Sequence, residues 1–191
     1  MKNRAGDYIQ TFAGIKYYPL DPLPEEVSRE DIAHALSLKC RFGGMCREFY
    51  SVAEHSIRVA DYLDKKYNEW ELTRIGLMHD AAEAYVSDVL RPIKSFIPRF
   101  SEIEKMNEQA ICERFKIDYP LDIRYKEADN RWLITEAKQL LDEKLVERWN
   151  FKPSPILSTE LHLQYGVDLP KWGPKEAEKI MLEWMDFYNI N

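Results

Sequence analysis

Two serine-led signals mark where long helices begin, and they constrain the fold more than any other feature of the chain. The segments Ser-Arg-Glu-Asp at 28–31 and Ser-Val-Ala-Glu at 51–54 place a hydroxyl three residues before an acid, which is the pattern of a helix capping box. Apolar residues recur with helical period behind both signals. Only 7 glycines occur in 191 residues, so few positions interrupt these patterns. The sequence therefore predicts an all-α fold.

The same periodicity predicts the remaining helices. The two capped helices are expected to end near Leu38 and Lys66, and the segment from Leu90 to Lys94 is expected to form a loop. Pro174 suits the first turn of a last helix, because its fixed φ matches helical backbone. Further helices are predicted over residues 71–86, over 101–115, over 122–147 behind the capping residue Asp122, and over a short stretch from Ser158 to Tyr165.

The N-terminal residues depart from the helical pattern. β-forming residues at 8–12 and 15–18 flank an Ala-Gly turn, which predicts a short hairpin. Prolines at positions 19, 22 and 24 then prevent regular structure. We predict a single domain over 1–191, with a hairpin and extended arm at 1–27, a helical core at 28–145 and C-terminal helices at 146–191.

Charge and composition exclude several classes of protein. The net charge of -6 leaves no basic footprint for duplex nucleic acid. The sequence contains no run of about 18 apolar residues, so it predicts no transmembrane helix. No apolar run follows the first residues, so it predicts no secretory signal either. The 3 cysteines are odd in number and lack CxxC spacing, which argues against a disulfide framework and a structural zinc knuckle. A cytoplasmic protein is expected.

The adjacent pair His79 and Asp80 is the strongest chemical signal. On a helix Glu83 lies four residues after His79 and three after Asp80, so all three share one face. Imidazole and carboxylate together suit divalent metals of the zinc, manganese, iron or cobalt kind. His55 on an earlier helix and Asp129 on a later one can complete the ligand set. Each residue also has a simpler interpretation, His55 as a core histidine and Asp129 as a surface or capping acid.

Four segments resemble the HD-domain phosphohydrolases, and among these the 5'-deoxynucleotidases and phage-type dATP triphosphohydrolases. The resemblance covers roughly residues 28–145 and implies an HD-domain helical bundle. Its segments are Ser-Val-Ala-Glu-His-Ser at 51–56; His-Asp-Ala-Ala-Glu at 79–83 with Asp88 and the Pro-Ile-Lys at 92–94; Glu-Ala-Asp at 127–129; and Cys-Arg-Phe at 40–42.

The resemblance implies a role for each matching residue. His55, His79, Asp80 and Asp129 would be metal ligands, Glu83 would position the attacking water, and Asp88 would protonate the leaving oxygen. Arg41 would clamp phosphate, Lys94 would add a second positive charge, and Phe42 would lie against the sugar or base. Arg41 could instead form an ion pair at a turn, and Asp88 and Lys94 could be surface charges.

Three further residues are candidates for substrate binding. His34, on the first capped helix, either packs in the core or approaches the phosphate. Lys16 and Tyr18, on the hairpin, are candidates for the wall of a base pocket, although tyrosines in such places more often only pack.

These residues together favour an enzyme that removes phosphate from (deoxy)nucleotides. One divalent metal ion (Mn, Co, Zn, Fe or Mg) is expected, because the remaining histidines, at 34 and 162, are not adjacent to the pair. The substrate would be a small nucleotide, and family resemblance suggests a homo-oligomer, a dimer or higher. An HD hydrolase of another phosphoester, such as a guanosine alarmone, and a non-catalytic nucleotide-sensing protein are the alternatives.

Overall fold

The computed structural model describes residues 4–162 and 166–191. Within them the fold is all-α with one small antiparallel hairpin near the N-terminus, as the sequence predicts. In the hairpin, strand β1 (Ile9–Gln10) pairs with β2 (Lys16–Tyr17). The helices are α1 (Arg29–Leu38), α2 (Val52–Tyr67), α3 (Trp70–Met78), α4 (Glu83–Val86), α5 (Arg91–Lys94), α6 (Phe100–Phe115), α7 (Tyr125–Leu140), α8 (Glu143–Val146) and α9 (Pro174–Phe187), with 3-10 turns at Pro24–Glu26, Arg41–Gly44 and Ser158–Glu160.

Helix α2 lies at the centre of the molecule. Its first three turns, residues 52–63, are buried on all sides, because α1, α3, α7 and α9 pack around them. The two serine caps are confirmed, since the Ser51 hydroxyl accepts a hydrogen bond from the amide of Glu54 and Ser28 does so from Asp31. The buried Glu54 carboxylate pairs with Arg58 one turn later at 2.8 Å, so α2 keeps a charged pair in the interior.

The hairpin docks onto the helices through Tyr17. Its ring stacks on that of Tyr85 in α4 at 3.8 Å between centroids. Its hydroxyl donates to the side-chain oxygen of Asn107 in α6 at 2.6 Å. The main core therefore joins the hairpin to α1, α2, α3, α4, α6 and α9, and a second cluster built around Trp132 and Leu63 joins α2 to α7.

The prediction of one continuous helix over residues 71–86 is wrong. Helix α3 ends at Met78, and the chain turns through residues 79–82 before α4 begins at Glu83. The amides of Ala81 and Glu83 bond to carbonyls three residues back, rather than four. This tighter winding still places Asp80 and Glu83 on one side, because residues three apart eclipse each other in a 3-10 turn.

Three other predicted segments differ from the structure. The helix predicted over 122–147 breaks at Leu141, whose backbone is extended, and Asp142 caps α8 by accepting from the amide of Lys144. The segment predicted as a loop from Leu90 to Lys94 contains the short helix α5, in which Pro92 lies in the first turn. The short stretch predicted near Ser158 is a 3-10 turn, and residues 163–165 lie outside the described residues.

Within residues 4–162 and 166–191, no helix combines the length and apolar character that a membrane span requires.

Candidate metal centre

Two histidines and an aspartate meet between α2 and the end of α3. The Nε2 atoms of His55 and His79 lie 3.3 Å apart. The Oδ2 atom of Asp80 lies 3.3 Å from the His79 nitrogen and 3.6 Å from that of His55. These separations match the edges of a coordination shell with metal–ligand bonds of about 2.1 Å. The cluster of His55, His79 and Asp80 could therefore hold a metal ion.

The second ring nitrogen of each histidine is already engaged. Nδ1 of His55 donates to the carboxylate of Glu136 at 2.6 Å, and Nδ1 of His79 donates to the carbonyl of Gly76 at 2.8 Å. A carboxylate or carbonyl can only accept, so each Nδ1 carries the proton. Each Nε2 is left to point at the shared space, as in metal sites where an outer partner orients the imidazole.

Asp129 approaches the same space from α7. Its Oδ1 atom lies 3.3 Å from Nε2 of His55, and its Oδ2 atom lies 3.6 Å from the guanidinium of Arg91 on α5. The structure thus brings together all four residues predicted as metal ligands. Three come from α2 and the end of α3, and Asp129 reaches them from α7 through its contact with His55.

The electrostatics of the cluster favour a cation. Burial and the charge of Arg41 lower the pKa of His55, but Glu136 and Asp129 outweigh them and raise it to about 9. Burial opposes ionisation of Asp80, yet the neighbouring histidines and Arg41 hold its pKa well below the ordinary value. The carboxylates around His55 hold a proton on its buried imidazole. A divalent ion can take the place of that proton and neutralise the carboxylates instead.

Glu83 lies at the start of α4, within the electrostatic influence of Asp80. Its Oε2 atom is buried and has no hydrogen-bond partner among the described residues. Burial, together with the charges of Asp80 and Asp88, raises the pKa of Glu83 well above its ordinary value. Asp88, in the segment after α4, also has a raised pKa, chiefly because it is buried.

Arg41 points into the cluster from the 3-10 turn Arg41–Gly44. Its Nε donates to Glu136 at 3.0 Å, and its Nη1 lies 3.5 Å from Asp80. The alternative prediction, that Arg41 forms an ion pair at a turn, is therefore confirmed. One of its two acidic partners, Asp80, is a predicted metal ligand.

The other predicted substrate-binding residues have partners of their own. Lys94 is paired with Glu104 of α6 at 2.5 Å. Phe42, whose φ of 56° lies in the left-handed region, packs against the small cluster of Ile134, Ala137 and Val146. Both side chains therefore contact other residues of the protein.

His34, Lys16 and Tyr18 form a group around the hairpin. The ring of His34 stacks on Phe12 at 3.7 Å, and its Nδ1 lies 3.2 Å from Glu178 of α9. The Lys16 ammonium lies over the ring of Tyr8 at 4.8 Å, and that ring also contacts Tyr18 at 5.8 Å. The contacts of His34 join the hairpin to α1 and α9, whereas those of Lys16 and Tyr18 lie within the N-terminal arm.

Sequence reasoning missed three polar residues at the site. Glu136 binds both His55 and Arg41, and it accepts a hydrogen bond from the hydroxyl of Tyr50 at 2.9 Å. Lys39 donates to the carbonyl of Ala84 at 3.2 Å and lies in the field of Glu83 and Asp88, while burial lowers its pKa. Glu136 lies one turn after Trp132, a position at which helical spacing alone indicates only a buried face.

Sequence similarity to known proteins assigns the chain to a family. No family model matches it. The uncharacterized protein YfdR of Escherichia coli is 32% identical over 133 residues, which span 70% of this chain and 72% of YfdR. An uncharacterized protein of Rhodobacter capsulatus is 32% identical over 151 residues, which span 72% of this chain and 76% of that protein. With this identity over more than two thirds of each protein, the chain belongs to the same family as YfdR and its Rhodobacter capsulatus relative.

Proposed function

We propose that the protein is a metal-dependent phosphohydrolase of the HD type that removes phosphate from (deoxy)nucleotides. The observation that carries the proposal is the pair of His55 and His79 Nε2 atoms, 3.3 Å apart, each with its Nδ1 committed to another partner. Such a pair, with a carboxylate at 3.3 Å, is a preorganised set of donors for a divalent cation.

His55, His79, Asp80 and Asp129 would hold the ion. Two carboxylates balance two positive charges, which fits one divalent ion and leaves the imidazoles neutral. A divalent ion in such a site acidifies water and polarises a phosphoryl group.

Glu83 and Asp88 would move protons. The buried Oε2 atom of Glu83, which lacks a partner among the described residues, is available to orient water. A bound divalent ion would offset the charge of Asp80 that raises the pKa of Glu83, and would so favour the ionised carboxylate that accepts the proton of the water. The raised pKa of Asp88 favours a protonated carboxyl, which can donate to the leaving oxygen. Two acids with these roles beside one cation would serve both the attacking water and the leaving oxygen.

Arg41 and Lys39 would supply positive charge to the phosphate. Contacts among the described residues use the Nε and one Nη of Arg41, so part of its five-donor guanidinium remains for phosphate oxygens. The half-buried Lys39 ammonium lies in the field of Glu83 and Asp88, where it can offset the negative charge of both acids and of the substrate.

A phosphate-release screen tests the proposal. Deoxy- and ribonucleoside mono-, di- and triphosphates are incubated with Mn, Co, Mg or Zn, and release is followed with and without chelator. We expect chelator-sensitive release from at least one deoxynucleotide. Absence of release from every nucleotide with every metal would contradict the proposal.

The Glu83→Gln variant tests the mechanism. It should lower turnover by about 10²–10⁴-fold, because a positioned base is lost, while metal content stays unchanged. Glu102→Gln, at an exposed glutamate of α6 that pairs with Arg99, is the matched control and should retain turnover. A Glu83→Gln rate equal to that of the wild type would refute the assigned role.

Two other outcomes identify the alternatives. Release of pyrophosphate from a guanosine alarmone, without release from deoxynucleotides, would indicate an HD hydrolase of another phosphoester. Nucleotide binding without any phosphate release would indicate a sensing protein. Binding alone does not need the buried Oε2 atom of Glu83.

A further inference from the structure

Two cysteines face each other beside the candidate metal centre. The Sγ atoms of Cys40 and Cys46 lie 3.4 Å apart, and both residues are partly accessible to solvent. Cys46 also donates its thiol hydrogen to the backbone carbonyl of Arg41 at 3.6 Å. The third cysteine, Cys112, is buried in the core away from this contact.

The backbone around the two thiols is fixed at several points. The amide of Arg41 donates to the carbonyl of Tyr50 at 2.8 Å, and Cys40 forms a β-bridge with Ser51. On the other side, the amide of Arg47 donates to the carbonyl of Leu140 at 2.9 Å. These bonds hold both ends of the segment, so the thiol contact is built into the fold rather than made by two free side chains.

We propose that Cys40 and Cys46 are a redox modification site, at which a reversible disulfide forms and alters the turn that carries Arg41. The disulfide itself does not depend on the proposed function, whereas its effect on turnover does.

The reaction balances with a peroxide as the oxidant. The sulfur of Cys40 attacks hydrogen peroxide, breaking the O–O bond and giving a sulfenic acid and one water. The sulfur of Cys46 then attacks the sulfenic sulfur, forming the S–S bond and releasing a second water. Each thiol gives up its hydrogen, and the two electrons removed from sulfur reduce the peroxide. A dithiol reductant reverses the change by exchange.

The order of attack follows from the surroundings of Cys46. Burial and the hydrogen bond with Cys40 raise the pKa of Cys46 to about 11. The hydrogen bond that Cys46 donates to the Arg41 carbonyl also keeps its proton in place, and thiolates are the sulfurs that peroxide oxidises. We therefore assign the first oxidation to Cys40 and its resolution to Cys46.

Closing the bond would act on the turn between the two sulfurs. The Sγ atoms must approach from 3.4 Å to about 2.05 Å. The turn holds three successive residues with left-handed backbone, Phe42, Gly43 and Gly44, with φ of 56°, 60° and 76°. Closing the bond removes the thiol hydrogen bond to the Arg41 carbonyl and shifts the backbone at both ends of this turn. Arg41 is the residue whose guanidinium contacts Asp80, so a shift of the turn would change the position of that guanidinium at the centre.

Trypsin digestion tests the disulfide without reference to activity. Cleavage after Lys39, Arg41 and Arg47 places Cys40 and Cys46 in separate peptides, 40–41 and 42–47. We expect these peptides to be joined after peroxide treatment of the folded protein and separate after dithiothreitol. Free peptides after peroxide, or sulfinic acid on either cysteine instead of a bond, would overturn the proposal.

Serine variants provide the controls. Cys112→Ser should oxidise as the wild type does, whereas Cys46→Ser should give no joined peptides. The oxidised wild type should melt higher than the reduced form, by on the order of 5 °C, because a short closed loop restricts the unfolded chain. The same melting temperature in both states would contradict a bond that the native fold accommodates.

The effect on turnover is measured separately on the substrate found by the phosphate-release screen. Oxidation should slow release several-fold, dithiothreitol should restore it, and Cys46→Ser should not respond to a brief peroxide pulse. Joined peptides with unchanged turnover would refute the regulatory effect. Joined peptides in a protein that hydrolyses no nucleotide would refute the proposed function alone, and turnover without joined peptides would refute the disulfide alone.

Discussion

Glu136 contacts three buried side chains that come from different parts of the chain. Its carboxylate accepts from Nδ1 of His55 at 2.6 Å, from the hydroxyl of Tyr50 at 2.9 Å and from Nε of Arg41 at 3.0 Å. Glu136 is fully buried, and the neighbouring charges of Arg41 and His55 hold its pKa below the ordinary value against the effect of burial. One carboxylate therefore orients a predicted metal ligand and anchors a predicted phosphate clamp.

Replacing Glu136 by glutamine should weaken metal binding about 10–100-fold, because an amide cannot serve all three donors and no longer orients His55. Titration calorimetry with Zn²⁺ and Mn²⁺ measures the affinity. Glu127→Gln is the control on the same helix, since Glu127 is exposed and its partners among the described residues are Lys66 and Tyr62. Equal affinities for the wild type and Glu136→Gln would show that His55 needs no such partner.

Asp61, also in α2, is a buried acid whose ionisation destabilises the folded protein. It is buried, and its Oδ1 atom has no hydrogen-bond partner among the described residues. Burial raises its pKa from 3.8 to about 6. A carboxyl whose folded pKa is raised favours folding below its unfolded pKa, and that contribution is lost as pH rises through the folded pKa.

Asp61→Asn should therefore stabilise the protein above pH 6 and leave it nearly unchanged near pH 4. The difference between a pKa of 3.8 and one of about 6 corresponds to about 3 kcal/mol at neutral pH. Urea unfolding at pH 4 and pH 8 measures it. A gain of equal size at both pH values would mean that the carboxylate charge is not the cause.

At the scale of elements, Gly76 sets how closely α3 approaches α2. A Cβ atom there would lie 2.7 Å from Cδ1 of Leu63 and 3.1 Å from the backbone Cα of Ala60. The carbonyl of Gly76 also accepts the hydrogen bond from His79. The same position therefore controls helix spacing and the orientation of one imidazole.

Gly76→Ala should destabilise the fold by about 1–3 kcal/mol through overpacking, even though alanine gains about 1 kcal/mol of helix propensity. Because α3 must move from α2, the separation of His55 and His79 should increase and metal affinity should fall. Thermal unfolding and metal titration measure the two effects. Gly173→Ala is the control, since a Cβ there would meet no atom of the described part of the chain within 4 Å.

Elements whose boundaries depend on local chemistry were predictable from sequence. Ser28 and Ser51 cap their helices through hydrogen bonds made within four residues, so the starts of α1 and α2 were predicted correctly. The break after Met78 was not, because a shift of hydrogen bonding from four residues to three leaves no mark in apolar periodicity. The Leu141 break likewise separates two segments that both have helical character.

Contacts between distant residues were less predictable. The meeting of His55, His79 and Asp80 was expected, because adjacent ligands restrict the geometry of the third. The partnership of Glu136 with His55 was not expected, since it joins residues 81 positions apart and a glutamate in a helix usually faces solvent. The ion pair of Lys94 with Glu104 was also missed, because it joins two helices, α5 and α6, whose packing is not visible in the sequence.

For the whole molecule, the candidate centre exists only after three separate stretches of chain have packed together. The donors come from α2, from the end of α3 and from α7, so the unfolded chain cannot assemble them. A ligand that binds only the folded state stabilises it in proportion to its free concentration relative to its dissociation constant.

Metal saturation at about 100 times the dissociation constant should therefore raise the melting temperature by about 5–10 °C, corresponding to about 2.7 kcal/mol. Differential scanning calorimetry with EDTA, and again after adding excess Mn²⁺ or Zn²⁺, measures the change. His55→Ala is the control, and its melting temperature should not respond to metal. An equal response in that variant would place the binding elsewhere.

The close approach at Gly76 also bears on how this family can vary. The shortest contact of an added Cβ would be with the side chain of Leu63, which a smaller residue there would relieve, while the remaining contacts with Ala60 are slightly longer. Substitutions at positions 63 and 76 are therefore not independent events in evolution. Among relatives, alanine or serine at 76 is expected to occur together with a side chain smaller than leucine at 63.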